Sequence, residues 1–401
     1  MAIRLVSHIS SIGAEEVLQS GFKSNHSTES ALLCVTNDLR KSCDAGHASI
    51  LILLDLSAAF DTIDHDLLLD RLTSFLGITG AALDWFKSYL QGRSQCVTFN
   101  DSTSSPYPVS YGVPQGSVLG PLLFRIYLLP LGTLLRNLGL SFHFYADDTQ
   151  IYLPCCPSSL NVTIAQLNEA YGSVSDWLST NFLKLNHGKT EVLLVGSASA
   201  LDKCKQSTSS ITLGGATLPF ASSVRNLGVT FDQSLTFKLH ISNVCRSSYY
   251  QLRNIARIRN YFDRNSLEVL LHAFITSRLD YCNSLLAGAP NCDLRRLQLI
   301  QNFAARILVN CRLRDRISPI LSQLHWLHVS FRIQFKTLLF TFKALNGLAP
   351  PYISKAIVPL QSRRNLRSNY TFSLAVPRSH SVSFGDRAFS IFAPRLWNSL
   401  L

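Results

Sequence analysis

The stretch FHFYADDTQIY, from Phe142 to Tyr152, narrows what this chain can fold into more than any other. Two adjacent carboxylates, Asp147 and Asp148, stand between two short apolar, aromatic arms. Phe142 and Phe144 precede the acids with period two, and Ile151 and Leu153 follow them with the same period. Each arm reads as a strand with one buried face, and the two together read as a hairpin with the acids at its tip. Side-by-side carboxylates repel one another and burial raises the cost, so such a tip suits a chain that holds a cation there. An ordinary Asp-Asp turn is the competing reading, because Asp is a common turn residue. A third acid brought in from elsewhere decides between them.

That acid is Asp55. Ile50 to Leu54, ILILL, is a wholly apolar run of the kind buried on both faces of a sheet, and it ends in Asp55 before LSAAFDTIDHDLLLDRL turns helical. Between Asp55 and the hairpin lies YGVPQGSVLGPLLF, which leads into an apolar helix from about 118 to 138. Its Gly112, Gly116 and Gly120 permit close backbone approach to a ligand or unusual dihedrals. A phosphate loop is excluded, because no Gly-Lys-Ser/Thr follows. Two carboxylate-bearing strand ends with a glycine turn between them make a recipe for two magnesium ions, which favour carboxylate and water oxygens and leave positions for phosphates. The chemistry is then phosphoryl or nucleotidyl transfer. Asp61, Asp64 and Asp66 read instead as capping or solvating the following helix start.

The remaining chain alternates elements and loops. Ser27 caps a helix running from Thr28 to Leu39, residues 71–92 are helical, and 95–110 form a hairpin with its turn at 101–106. Ser158 to Thr180 is helical, 182–195 is a loop entering a strand, 197–210 is an exposed polar excursion, and 211–235 holds short strands around a Gly214-Gly215 turn. From Phe237 to about Ala344 the pattern is helical and rich in arginine; Pro350-Pro351 closes it, and Arg363, Arg364 and Arg367 follow in a polar loop.

At 401 residues and 47% hydrophobic content the chain builds a sizeable core and is no disordered protein. The net charge of +12 is unevenly spread: residues 1–236 carry 14 Lys and Arg against 19 Asp and Glu, and residues 237–401 carry 23 against 6. An acidic, metal-binding unit followed by a basic one that holds a polyanion fits this split, with a merely solubilising surface as the alternative. Ten cysteines without a CxxC pair, two of them adjacent at Cys155-Cys156, make neither a zinc set nor a disulfide framework. They read as reduced thiols of an intracellular, non-secreted protein, nuclear or cytoplasmic. The stretch MAIRLVSHISSIGAEE lacks the apolar run expected of a signal peptide, and the apolar stretch 117–140 is broken by Pro121, Arg125, Pro130 and Arg136, so no membrane span is expected.

LLDLSAAFD at 53–61, GVPQGSVLGPLLF at 112–124, FYADD at 144–148 and LKLNHGKTE at 183–191 resemble, in order, the palm motifs of reverse transcriptases. They are most similar to those of LINE-type, non-LTR retrotransposon polymerases. SSVRNLGVTFD at 222–232, the segment 324–353 and FGDRAFSIFAPRLWNSL at 384–400 resemble the downstream region of vertebrate elements of this type. The resemblance implies an α+β fold: a right-hand polymerase palm, an antiparallel sheet with packed helices, with partial fingers, then a helical thumb and a carboxy-terminal extension. It divides the chain into a remnant of fingers at 1–48, a palm at 49–236, a basic helical thumb or connection at 237–349 and an extension at 350–401.

The resemblance further implies an RNA-directed DNA polymerase acting on an RNA template, a DNA primer and deoxynucleoside triphosphates, with two Mg2+ ions or Mn2+ in their place. Asp55 and Asp147 are then the metal ligands and Asp148 the accessory acid. Phe60 falls at the steric gate that crowds a 2′-hydroxyl, with a plain core role as the alternative. Gln115 and Gly116 match the residues beside the incoming nucleotide and template base, and Lys189 matches the lysine near the departing pyrophosphate. Arginines after residue 237 would contact phosphates without reading sequence; Tyr249, Tyr250 and Trp326 would stack on bases or, alternatively, fill a helical core. No counterpart of the family's earlier fingers segment precedes GFKSNHSTES at 21–30, which reads as an amino-terminal truncation. A catalytically inert polymerase that only binds RNA or an RNA-DNA hybrid is the second expectation, and the oligomeric state is left open.

Overall fold

The computed structural model describes residues 1–360 and 373–400 of the chain, so the loop arginines Arg363, Arg364 and Arg367 lie outside the described residues. Helices and strands are mixed throughout, and the chain divides into two compact units. The first holds residues 1–24, 51–192 and 205–220; the second holds 25–50, 193–204 and 221–401. Among the described residues no helix is long and apolar enough to cross a membrane.

The main sheet has four strands, in the order Glu191–Val195, Ala48–Leu54, Asp148–Cys155, Ser141–Tyr145. ILILL forms the expected strand because an apolar run flanked by polar residues can hide both faces only inside a sheet; Ile50, Leu51, Ile52 and Leu54 are all buried. Ser141–Tyr145 and Asp148–Cys155 pair antiparallel with Phe142 opposite Ile151 and Tyr145 opposite Asp148, which is the expected hairpin. Its arms differ from the one-faced expectation. His143 and Gln150 are as deeply buried as Phe142 and Phe144, so both faces are covered. Period two in the apolar residues hid this, because the buried polar side chains occupy the intervening positions.

Several helices break where backbone chemistry requires it. The expected run over 71–92 is two helices, His65–Ser74 and Gly80–Leu90, parted around Gly77 at φ +63°. The run over 118–138 is likewise two, Gly120–Tyr127 and Leu129–Asn137, because Pro130 has no N–H to give and its ring excludes the carbonyl one turn back. Ser27 caps Thr28–Asp44, accepting from the Ser30 amide while Ser30 Oγ accepts from the Ser27 amide. In the expected hairpin at 95–110, two short ladders form, Ser94–Gln95 with Tyr107–Pro108 and Thr98–Phe99 with Ser102–Thr103, which moves the turn to Asn100 and Asp101. The expected exposed excursion over 197–210 is instead the helix Ala198–Ser207. Ala200, Leu201 and Cys204 give it one buried face despite its polar composition.

In the second unit, Lys238–Ile258, Asn291–Val309 and Val329–Leu345 are the long helices of the arginine-rich region. Trp326 is buried, Tyr249 half-buried and Tyr250 exposed, so the three aromatics expected to act alike divide between core and surface. His240, buried on Lys238–Ile258, accepts the Thr230 amide on Nδ1 at 3.4 Å. Burial holds its pKa down at about 4 from an ordinary 6.5. The folded pKa lies below the unfolded one, so the stability attached to neutral His240 is complete above about pH 6.5 and is lost as pH falls towards 4. The denaturation midpoint should therefore drop across that window, by up to about 3 kcal/mol in unfolding free energy. His240→Asn should flatten the drop, and an equally steep fall in that variant would refute the assignment.

Candidate active site

Asp55 leaves the sheet at the end of Ala48–Leu54, whose hydrogen-bonded neighbour begins with Asp148. Asp147 sits in the turn between the hairpin arms, after Ala146 at φ +57°. The hairpin keeps Asp147 and Asp148 together, and both lie close enough to Asp55 to feel its charge. A second pairing brings the fourth charge: Leu56 and Ser57 pair antiparallel with Leu185 and Lys184, so the segment LKLNHGK turns back beside Asp55. There Lys189 Nζ stands 3.2 Å from Asp55 Oδ2.

Asn186 is a neighbour that sequence reasoning passed over. Its backbone amide donates to the Asp55 carbonyl at 2.9 Å and its side-chain Nδ2 to Asp55 Oδ2 at 3.3 Å. The signal was present, since Asn186 lies inside a motif read only for its lysine. An asparagine with both amides turned on one aspartate fixes where that carboxylate points.

The acids sense one another. Burial is the largest influence on Asp147 and raises its pKa; the Asp55 charge pushes the same way while Lys189 opposes. Asp148 lies exposed at the start of its strand, yet partial desolvation of its carboxylate by the surrounding protein raises it further, to about 6, and the charges of Asp147 and Asp55 push the same way. Among the described residues no set of three or more His, Cys, Asp or Glu is gathered as a preformed metal cage. The side chains nevertheless fit a hard divalent ion in kind. They are oxygen donors, their mutual repulsion is what a cation relieves, and the ammonium of Lys189 already lies against one of them.

The glycine turn is laced to the loop that follows Asp55. Gly112 donates to the Ile63 carbonyl at 2.8 Å, and Val113 donates to the Phe60 carbonyl at 3.0 Å. Gly112 has φ +80°, and a Cβ there would meet the Asp61 carbonyl oxygen at 2.9 Å, so both the dihedral and the close approach require glycine. Gln115 Nε2 donates to both carboxylate oxygens of Asp61, at 2.9 and 3.0 Å. Of the three acids expected at the helix start, Asp64 is the N-cap and accepts from the Leu67 amide, Asp66 lies in the first turn, and Asp61 serves Gln115 instead. Gly116 is exposed with open space around it. Phe60 is half-buried, its ring stacked on Phe124 at a centroid distance of 4.5 Å and edge-on to Phe22 at 6.4 Å.

Acids at neighbouring strand ends that feel one another's charge, a lysine against one of them and a glycine turn tied to the loop that follows fit a nucleotidyl-transferring palm. The chain belongs to the reverse transcriptase (RNA-dependent DNA polymerase) family, whose model matches residues 3–231, more than half of its length. It is of the LINE-type, non-LTR kind. It is 28% identical over 309 residues to a probable RNA-directed DNA polymerase from transposon BS of Drosophila melanogaster, covering 73% of this chain and 32% of that one. With the RNA-directed DNA polymerase from mobile element jockey of Drosophila funebris the identity is 26% over 291 residues, 71% of this chain and 31% of the other. The chain thus spans about a third of the length of the curated relatives it matches. Among solved structures, telomerase from Candida albicans in complex with a fragment of telomeric RNA aligns over 86% of this chain and 55% of its own, with 13% identity and a TM-score of 0.38. Reverse transcriptases generally use divalent metal ions.

Replacing Asn186 by alanine should free the Asp55 carboxylate and, if the chain carries its family's activity, slow templated nucleotide incorporation about tenfold, near 1.4 kcal/mol of barrier. Asn186→Asp, which sets a second carboxylate against Asp55, should cost more. Single-turnover incorporation measured beside primer-template affinity checks this, and wild-type rates in both variants would refute it.

Proposed function

We propose that this chain extends the 3′-hydroxyl of a DNA primer with deoxynucleoside triphosphates along an RNA template. The observation that carries the reading is the electrostatic coupling of Asp55, Asp147 and Asp148, with Lys189 against Asp55. In this reading Asp55 and Asp147 hold two Mg2+ ions, for which Mn2+ substitutes, and Asp148 assists. The ions, when bound, supply activation of the attacking oxygen and stabilisation of the leaving one. Lys189 stabilises charge on, or protonates, the departing pyrophosphate. Gln115, held by Asp61, and the open backbone at Gly116 flank the incoming nucleotide and the template base.

Phe60 acts as the steric gate. A ring braced by Phe124 and Phe22 cannot swing away from a 2′-hydroxyl without breaking both contacts. The division into fingers remnant (1–48), palm (49–236), thumb (237–349) and extension (350–401) follows the same reading. The excess of 23 basic over 6 acidic residues after 237 supports phosphate contacts there, so hybrid binding should weaken steeply with salt.

Primer extension on an RNA template with purified full chain is the deciding assay. Asp147→Ala should lower incorporation at least a thousandfold, about 4 kcal/mol; equal incorporation would sink the proposal. Phe60→Val should raise ribonucleotide use relative to deoxyribonucleotide use by roughly tenfold or more while leaving deoxyribonucleotide incorporation largely intact. Salt-sensitive hybrid binding with no synthesis under Mg2+ or Mn2+ would instead assign the chain to a nucleic-acid binder without turnover.

A further inference from the structure

The turn that presents Asp147 is gripped from a distant part of the chain. Residues 18–21 run alongside Ser141–Tyr145: the Phe144 amide donates to the Leu18 carbonyl at 2.8 Å, and the Ser20 amide to the Phe144 carbonyl at 2.9 Å. This is a short parallel bridge centred on Gln19 and Phe144. Beyond the bridge, the Gln19 side chain takes over the pairing. Its Oε1 accepts from the Ala146 amide at 2.9 Å and from the Gly21 amide at 2.7 Å, and its Nε2 donates to the Ala146 carbonyl at 3.1 Å. Gln19 is 2% exposed, so all three bonds are shielded from water.

Ala146 needs such a grip. It is a non-glycine residue in the left-handed region, which costs on the order of 1 kcal/mol, and it immediately precedes Asp147. Both of its backbone polar groups end on the one carboxamide, whose planar acceptor and donor match them as a strand would. Gly21 completes the clamp: a Cβ there would lie 2.3 Å from the Ala146 nitrogen and 2.9 Å from its Cα, so the two backbones touch.

We infer that Gln19 is a positioning residue for the polymerase reaction, holding Ala146 left-handed so that Asp147 stays aimed at the site. The inference rests on the proposed function, in which Asp147 is a metal ligand. Neither side chain of similar length does the same work. Methionine has the length but neither polar group; glutamate keeps the acceptor but, when ionised, sets a carboxylate against the Ala146 carbonyl.

Gln19→Met and Gln19→Glu test it in the full chain, with the exposed Gln95→Met as control. Three quantities are read: hydrogen exchange of the peptide spanning 142–152, Mn2+ affinity by electron paramagnetic resonance without nucleotide, and the split between kcat and the primer-template KM. Both Gln19 variants should exchange faster at the turn, bind Mn2+ about tenfold more weakly and lose at least tenfold in kcat at unchanged KM. The control should match wild type. If the methionine variant does not fold, the glutamate variant, which keeps the bonds from Ala146 and Gly21 amides, carries the same three readouts. Wild-type exchange, Mn2+ affinity or kcat in a folded Gln19 variant overturns the inference. Asp147→Ala, run in parallel, separates the two readings: full activity there defeats the proposed function, whereas an inactive Asp147→Ala beside a fully active Gln19→Met defeats only the role of Gln19.

Discussion

Keeping Asp147 and Asp148 partly desolvated and within reach of the Asp55 charge is the constraint that the first unit has to meet. Asp148 has its pKa raised to about 6 and Asp147 is raised as well, so at neutral pH the fold holds charges that burial and proximity disfavour. A chain selected for stability alone would remove one of them. Here, instead, the surroundings hold each acid in place. The sheet fixes the strand ends, Asn186 and Lys189 take Asp55, and Gln19 takes the turn before Asp147.

What the sequence revealed and what it hid divide along range. The strand ILILL, the hairpin and the cap at Ser27 rest on neighbours within a few residues, so periodicity and local chemistry expose them. Asn186 and Gln19 reach their partners across 131 and 127 residues, and no local pattern marks a side chain whose work lies that far away. Helix ends were blurred for a different reason. Apolar spacing continues across Gly77 and Pro130 even though the backbone cannot, so pattern alone joins helices that conformation separates. The segment 197–210 erred in the opposite direction, where three small or apolar residues among polar ones were enough to seat a helix.

Net charge also overstates how much of the basic half faces outward. Arg387 is buried and donates to the Ala287 carbonyl, and Arg306 spans the carbonyls of Arg312, Leu313 and Asp315. Arg332 and Arg395 are paired with Asp280 and Asp386. These cations are engaged by the second unit's own carbonyls and acids, and replacing the buried Arg387 would be read as instability rather than as lost affinity. Under the proposed function phosphate contact falls to the others, so the number of ions displaced on binding is smaller than the composition implies.

The stack of Phe22, Phe60 and Phe124 joins three segments far apart in sequence into one aromatic unit. If the central ring is the gate, sugar discrimination is no longer the property of one side chain meeting one hydroxyl. It becomes a stiffness, set by how firmly two neighbours resist the displacement of a third. Drift at either flanking position can then loosen or tighten the choice between ribose and deoxyribose while every atom that touches the substrate stays the same.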